Sequence, residues 1–112
     1  MMKAQQGFVL KEDQQYFPRR QVRLEATLSC MKTGLRGYVA QPGIVLNLSE
    51  GGCMVSCSSA NELNNHLHIQ ISGIPAKIAC TVVGRTAVRL NLIFTEILPS
   101  LIIDRLAERY AE

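Results

Sequence analysis

Val22-Arg23-Leu24-Glu25-Ala26-Thr27-Leu28-Ser29-Cys30 alternates apolar with polar or charged residues from end to end. Successive side chains of a strand point to opposite faces, so this segment carries one apolar face and one polar face. It predicts a strand with one side on a core and the other in water. Outward from it, Thr33-Gly34 breaks the pattern and residues 38–48 predict a second strand. Pro42-Gly43 interrupts that strand, which calls for a bulge or an edge position. Ser49-Glu50-Gly51-Gly52 reads as a turn. Residues 53–57 predict a short third strand with Cys53, Met54, Val55 and Cys57 as candidate core. Residues 58–65 predict a loop or a single helical turn. Leu67, Ile69 and Ile71 line one face of a fourth strand over 68–72, and Gly73-Ile74-Pro75 turns the chain. Residues 76–83 and 87–94 predict a hairpin turning at Gly84-Arg85, with Val88, Leu90 and Leu92 alternating along its second arm.

The period then changes. Leu98, Leu101, Ile102, Leu106 and Tyr110 recur at helical spacing, Thr95 is positioned as a cap, and Pro99 suits a first turn. Six short strands with regular turns and one terminal helix predict a mainly β fold. The expected form is a small six-stranded antiparallel barrel, plugged or flanked by the helix.

Residues 1–15 are polar, Gln-rich and without periodicity, and read as a flexible leader. A chain of 112 residues has one domain as its default, so residues 16–112 are expected to form it. A hydrophobic fraction of 47% with 19% charged residues is that of a soluble globular protein and excludes wholesale disorder. No apolar run approaches the ~18 residues of a membrane span. The first ten residues lack the apolar block and cleavage site of a signal peptide, so a cytoplasmic location is expected. The net charge of +3 permits an anionic ligand but falls short of a nucleic-acid footprint. A nucleic-acid-binding barrel would also want exposed aromatic platforms, yet aromatics are 5% and tryptophan is absent.

Catalytic signatures are missing: there is no G-x-S-x-G, no H-E-x-x-H and no glycine-rich phosphate loop. Asp104 and Glu108 stand one helical turn apart, but Arg105 and Arg109 beside them make a solvated helix face the better account. No enzyme activity is expected. His66-x-His68 puts two imidazoles on one face of a strand, again best read as a solvated face. The four cysteines, Cys30, Cys53, Cys57 and Cys80, include no C-x-x-C pair for zinc. Cys53 and Cys57, four apart in a strand, would lie about 13 Å apart at ~3.3 Å per residue, too far for a disulfide. Reduced core thiols without metal are the expectation.

Two short motifs remain. One is basic, Pro18-Arg19-Arg20-Gln21-Val22-Arg23. The other is Asn47-Leu48-Ser49-Glu50-Gly51-Gly52, at a strand end. In this order, Arg19-x-x-x-Arg23 and Asn47-x-Ser49-x-x-Gly52 resemble the PilZ family, whose signature is R-x-x-x-R followed after a spacer by [D/N]-x-S-x-x-G. The resemblance extends over most of the chain. It implies a six-stranded antiparallel barrel with a C-terminal helix, in agreement with the periodicity. It also implies a receptor for the bacterial second messenger cyclic di-GMP, with Arg19, Arg20, Arg23, Asn47, Ser49 and Gly52 as ligand-binding residues and no cofactor.

The ligand's chemistry suits these residues. Arginine offers a planar fork for phosphate oxygens or for guanine O6 and N7, and a flat face for stacking. Asn47 and Ser49, on alternate residues, would share a face and bond a guanine edge. Gly52 would allow a positive φ or a close approach of ligand to backbone.

A second register is open, in which Phe17-Pro18-Arg19 before Val22-x-Leu24 makes Arg19 the second motif arginine and Gln15 stands in the first one's place. That register implies weak binding or a ligand-blind scaffold acting through protein contacts. In either case the implied partner is an effector protein. Intact mass under non-reducing conditions is expected to match four free thiols; a loss of two protons or stoichiometric zinc would contradict this.

Overall fold

The computed structural model describes residues 17–31 and 37–109, so the leader expected over 1–15 lies outside them. The alternating segment forms β1, Arg20–Met31, with Val22, Leu24, Ala26 and Leu28 buried and Arg23, Glu25 and Thr27 exposed. β2 (Tyr38–Ser49), β3 (Gly52–Cys57), β4 (His66–Ile71), β5 (Ile78–Arg85) and β6 (Arg89–Phe94) follow, and α1, Ser100–Arg109, ends the described chain. A 3-10 turn over Ala60–Glu62 lies between β3 and β4, the short helical turn expected there.

The strands close into a barrel in the order β1-β2-β3-β6-β5-β4, antiparallel throughout. Every strand sends an apolar row inward: Leu28, Val45, Val55, Ile69, Leu90 and Leu92 are completely enclosed. The expected mainly β barrel with a C-terminal helix is the observed fold. All four cysteines are buried and unpaired. Burial pushes the Cys80 thiol up to about 12 and that of Cys53 higher still, so both are neutral thiols at physiological pH.

Several local expectations are corrected. Of the two alternatives at Pro42-Gly43, the edge position is the one found and no bulge forms there, since both residues pair in register with Thr27 and Ala26 of β1. Pairing of β2 with β3 starts only at Gly43, so Pro42 sits where β2 has a single neighbour, the edge position that proline tolerates. The register shift falls further on, between Val45 and Asn47. Gly84-Arg85 is not the hairpin turn but part of β5, with a shift between Val82 and Gly84. The turn is Thr86-Ala87-Val88, held by the Thr86 hydroxyl, which accepts from the backbone N–H of Val88 (3.3 Å) and Arg89 (3.0 Å). Thr95 does not cap the helix; its N–H extends the barrel ladder by donating to the Ala79 carbonyl at 2.8 Å. Pro99 stands just before α1, and its carbonyl accepts the N–H groups of Ile102 and Ile103. Ile103 and Leu106 bury themselves in the barrel core, whereas Leu101 is 61% exposed.

The antiparallel order gathers four features at one end of the barrel. They are the start of β1, the β2–β3 turn, the β4–β5 loop and the exit from β6. α1 lies over that end. The Leu98 N–H, in the segment leading into α1, donates to the Glu50 carbonyl at 2.9 Å. In the β4–β5 loop, Gly73 adopts φ +97°, a conformation that side chains disfavour, and a Cβ there would meet the Leu106 side chain at 2.6 Å. Gly52 is required by proximity alone, since a Cβ there would stand 2.2 Å from the backbone oxygen of Leu92 on β6. Gly52→Ala must therefore push β3 off β6. We expect a loss of roughly 1–3 kcal/mol or more, by analogy with overpacked cores, read as a lower denaturant midpoint; an unchanged midpoint would show that the strands separate freely.

Candidate functional site

The arginines lie at the entrance to β1, and the Asn-Ser-Gly segment ends β2 and turns into β3. Antiparallel pairing brings the two together: Gln21 stands directly opposite Asn47, and Arg20 opposite Leu48. Across that junction the Arg19 Nη1 donates to the Asn47 Oδ1 at 2.5 Å. Arg19 is half-buried, and burial pulls its guanidinium pKa below the usual value, with Cys53 acting the other way. The guanidinium keeps its charge regardless, because arginine does not lose its proton in proteins.

Alternation then divides the other two arginines. Gln21 and Arg23 are exposed on the outer face of β1, which they share with Asn47 across the strand. Arg23 makes no hydrogen bond or ion pair to another described residue. It lies within the register shift between Gln21 and Leu24, where Val22-Arg23 opposes Leu46 alone. Such a bulge re-aims side chains next to functional sites. Arg20 belongs to the opposite row, facing the same side as the enclosed Leu48, at the barrel end that α1 covers. There its Nη1 pairs with the Asp104 carboxylate.

The second motif divides as well. Asn47 is half-buried and offers its amide at the surface. Ser49 is fully enclosed. Its hydroxyl accepts from the Gly51 N–H at 3.2 Å and donates to the Gly52 carbonyl at 3.4 Å, so it holds the β2–β3 turn closed. Asn47 and Ser49 are thus not a common ligand-facing pair: both belong to β2, but Ser49 is enclosed and its hydroxyl is taken up inside the turn. Gly52 has no positive φ, and the backbone that approaches it closely belongs to β6.

Sequence reasoning missed three residues here. Gln21 is the direct cross-strand partner of Asn47, and register is not legible from composition. Asp104 was expected on a solvated face; it is 53% exposed but reaches a motif arginine 84 residues away. Glu50 is buried with its Oε1 lacking a hydrogen-bond partner among the described residues, while its backbone carbonyl anchors the approach to α1. No sequence signal marked it, since it occupies an unspecified position of the motif.

The arrangement is one for holding an anion. Three arginines stand within five residues at one barrel end: Arg19 on the Asn47 amide, Arg23 on the same outer face, and Arg20 turned towards the helix. Among the described residues, no three potential metal ligands cluster. Comparison with known proteins agrees with the geometry. No curated protein matches the chain. A family model described as the PilZ domain matches residues 13–110, which include both motifs. That family is one of cyclic di-GMP receptor domains, which are generally not enzymes. Because the match spans every strand of the barrel and the helix over its end, the chain belongs to the PilZ domain family.

Proposed function

We propose that this chain is a cyclic di-GMP receptor or adaptor domain that signals through an effector protein and catalyses nothing itself. One observation carries the reading: Arg19 is bonded to Asn47 across 28 residues of sequence, with Arg23 on the same outer face and without a partner among the described residues. Asn47 steadies the Arg19 fork with a neutral carbonyl, which leaves the positive charge for a phosphate. Arg23 supplies a second fork or a stacking plane for a guanine. Ser49 and Gly52 act by shaping the turn that presents Asn47, and Arg20 reaches the ligand from the helix side. No cofactor is needed beyond the ligand.

The functional unit would be residues 16–112 acting in the cytoplasm, with motility, biofilm formation or exopolysaccharide synthesis as the controlled output. A second reading, a ligand-blind scaffold acting by protein contact, draws on Gln15. If Arg19 is the second motif arginine, a side chain without charge or fork stands in the first one's place.

Calorimetric titration separates the two. The receptor reading expects heat on adding cyclic di-GMP; none at about 100 μM ligand means a binding free energy weaker than roughly −5.5 kcal/mol and favours the scaffold. Arg23→Ala is expected to lose about 2–5 kcal/mol of binding, the cost of truncating a charge-assisted contact, with an unchanged melting temperature because the side chain is exposed. Normal binding by Arg23→Ala together with failure of Arg19→Ala would establish the alternative register.

A further inference from the structure

We propose that Asp104 is a built-in competitor for the ligand at Arg20, so that binding unlatches α1 from the barrel. This rests on the receptor reading above. Arg20 is the motif arginine committed to the helix: its guanidinium, 31% exposed, pairs with an Asp104 carboxylate that is 53% exposed. The pair joins the first and last described secondary-structure elements of the barrel, 84 residues apart. Both partners remain open to solvent, so an anion can reach Arg20 without unfolding anything.

The exchange has a clear direction. A solvated ion pair contributes little on its own. A ligand phosphate already held by Arg19 and Arg23 offers Arg20 a planar, bidentate partner at high local concentration. Once it is there, the Asp104 carboxylate faces a like charge and is driven off. Among the contacts that remain are the buried Ile103 and Leu106, the partly buried Ile102 and Ala107 packed against the core, and the Leu98 N–H on the Glu50 carbonyl, which secures the approach. Leu101 and Ile97 already face solvent. A ten-residue helix has little stability apart from its docking. Loss of the latch removes one of these contacts, so α1 opens more often and exposes the apolar barrel end around Gly73 and Ile74 for a larger fraction of the time. The signal reaches the partner through this exposed end.

Coupling of this kind is reciprocal: whatever the ligand does to the latch, loss of the latch must do to ligand affinity. Asp104→Asn keeps the shape of the side chain and removes its charge. It is expected to bind cyclic di-GMP about threefold to fivefold more tightly, at the low end of allosteric couplings because the pair is solvated. In an Arg20→Gln background the same substitution is expected to change affinity by less than about 1.5-fold, since the competitor has nothing to occupy. Glu108→Gln, one helical turn away, serves as the charge control and is expected to be neutral. Hydrogen exchange over Ser100–Arg109 should quicken when wild-type protein binds ligand, and should already be fast in free Asp104→Asn.

The latch is overturned if wild type binds but Asp104→Asn binds equally and helix exchange is unchanged. It is also overturned if Glu108→Gln tightens binding as much as Asp104→Asn, which marks a diffuse charge effect. If wild type itself fails to bind cyclic di-GMP, the receptor reading falls and the latch with it, a result separate from any difference among variants.

Discussion

Where β1 begins, it runs antiparallel beside the end of β2, and the register there sets Gln21 opposite Asn47. The rest of the site follows from that junction. Pairing carries Arg19 to the Asn47 amide, turns Arg20 towards the helix, and leaves Arg23 in water on the outer face. A slip of one residue would exchange the two rows, burying Arg23 and exposing Leu24. The enclosed row of Val22, Leu24, Ala26 and Leu28 forbids that slip. The apolar packing that folds the barrel is thus also what aims the charges, and the site needs no machinery of its own to hold them apart.

The β2–β3 turn ties this junction to the remaining strands. Ser49 closes it from within, Gly52 lets β3 lie against Leu92 of β6, and the Gly51 and Glu50 carbonyls receive the N–H groups of Phe94 and Leu98. A single short segment therefore ends one strand, starts the next, seats the exit from β6 and anchors the run into α1. This explains why a serine and a glycine that do not face solvent stand in a motif whose asparagine does.

The strands were legible in the sequence because alternation is a direct image of inside and outside; β1 is the clearest case, with every apolar residue from Val22 to Leu28 enclosed. Gly84 misled because glycine marks a tight turn and a bulge alike, and only the pairing of β5 with β6 tells them apart. Thr95 misled because a hydroxyl before a helix signals a cap, yet here its N–H completes a ladder with Ala79. The site was half legible. Motif spacing named Arg19, Arg23 and Asn47, but Gln21 and Asp104 enter only through register and through a contact between residues far apart in sequence. Ser49 was read for its chemistry, whereas its burial decides what that chemistry is used for.

The closed barrel has one more consequence, for how any partner can grip this protein. A closed sheet leaves only short stretches of backbone unpaired, such as β2 before Gly43, where Pro42 stands without an N–H to give. Strand addition, one way for an extended peptide to fasten onto a β domain, finds only short footholds here. A partner is left mainly with side chains, on the outer strand faces, the end loops or the helix. Recognition of that kind rests on surface residues that can vary without disturbing the scaffold.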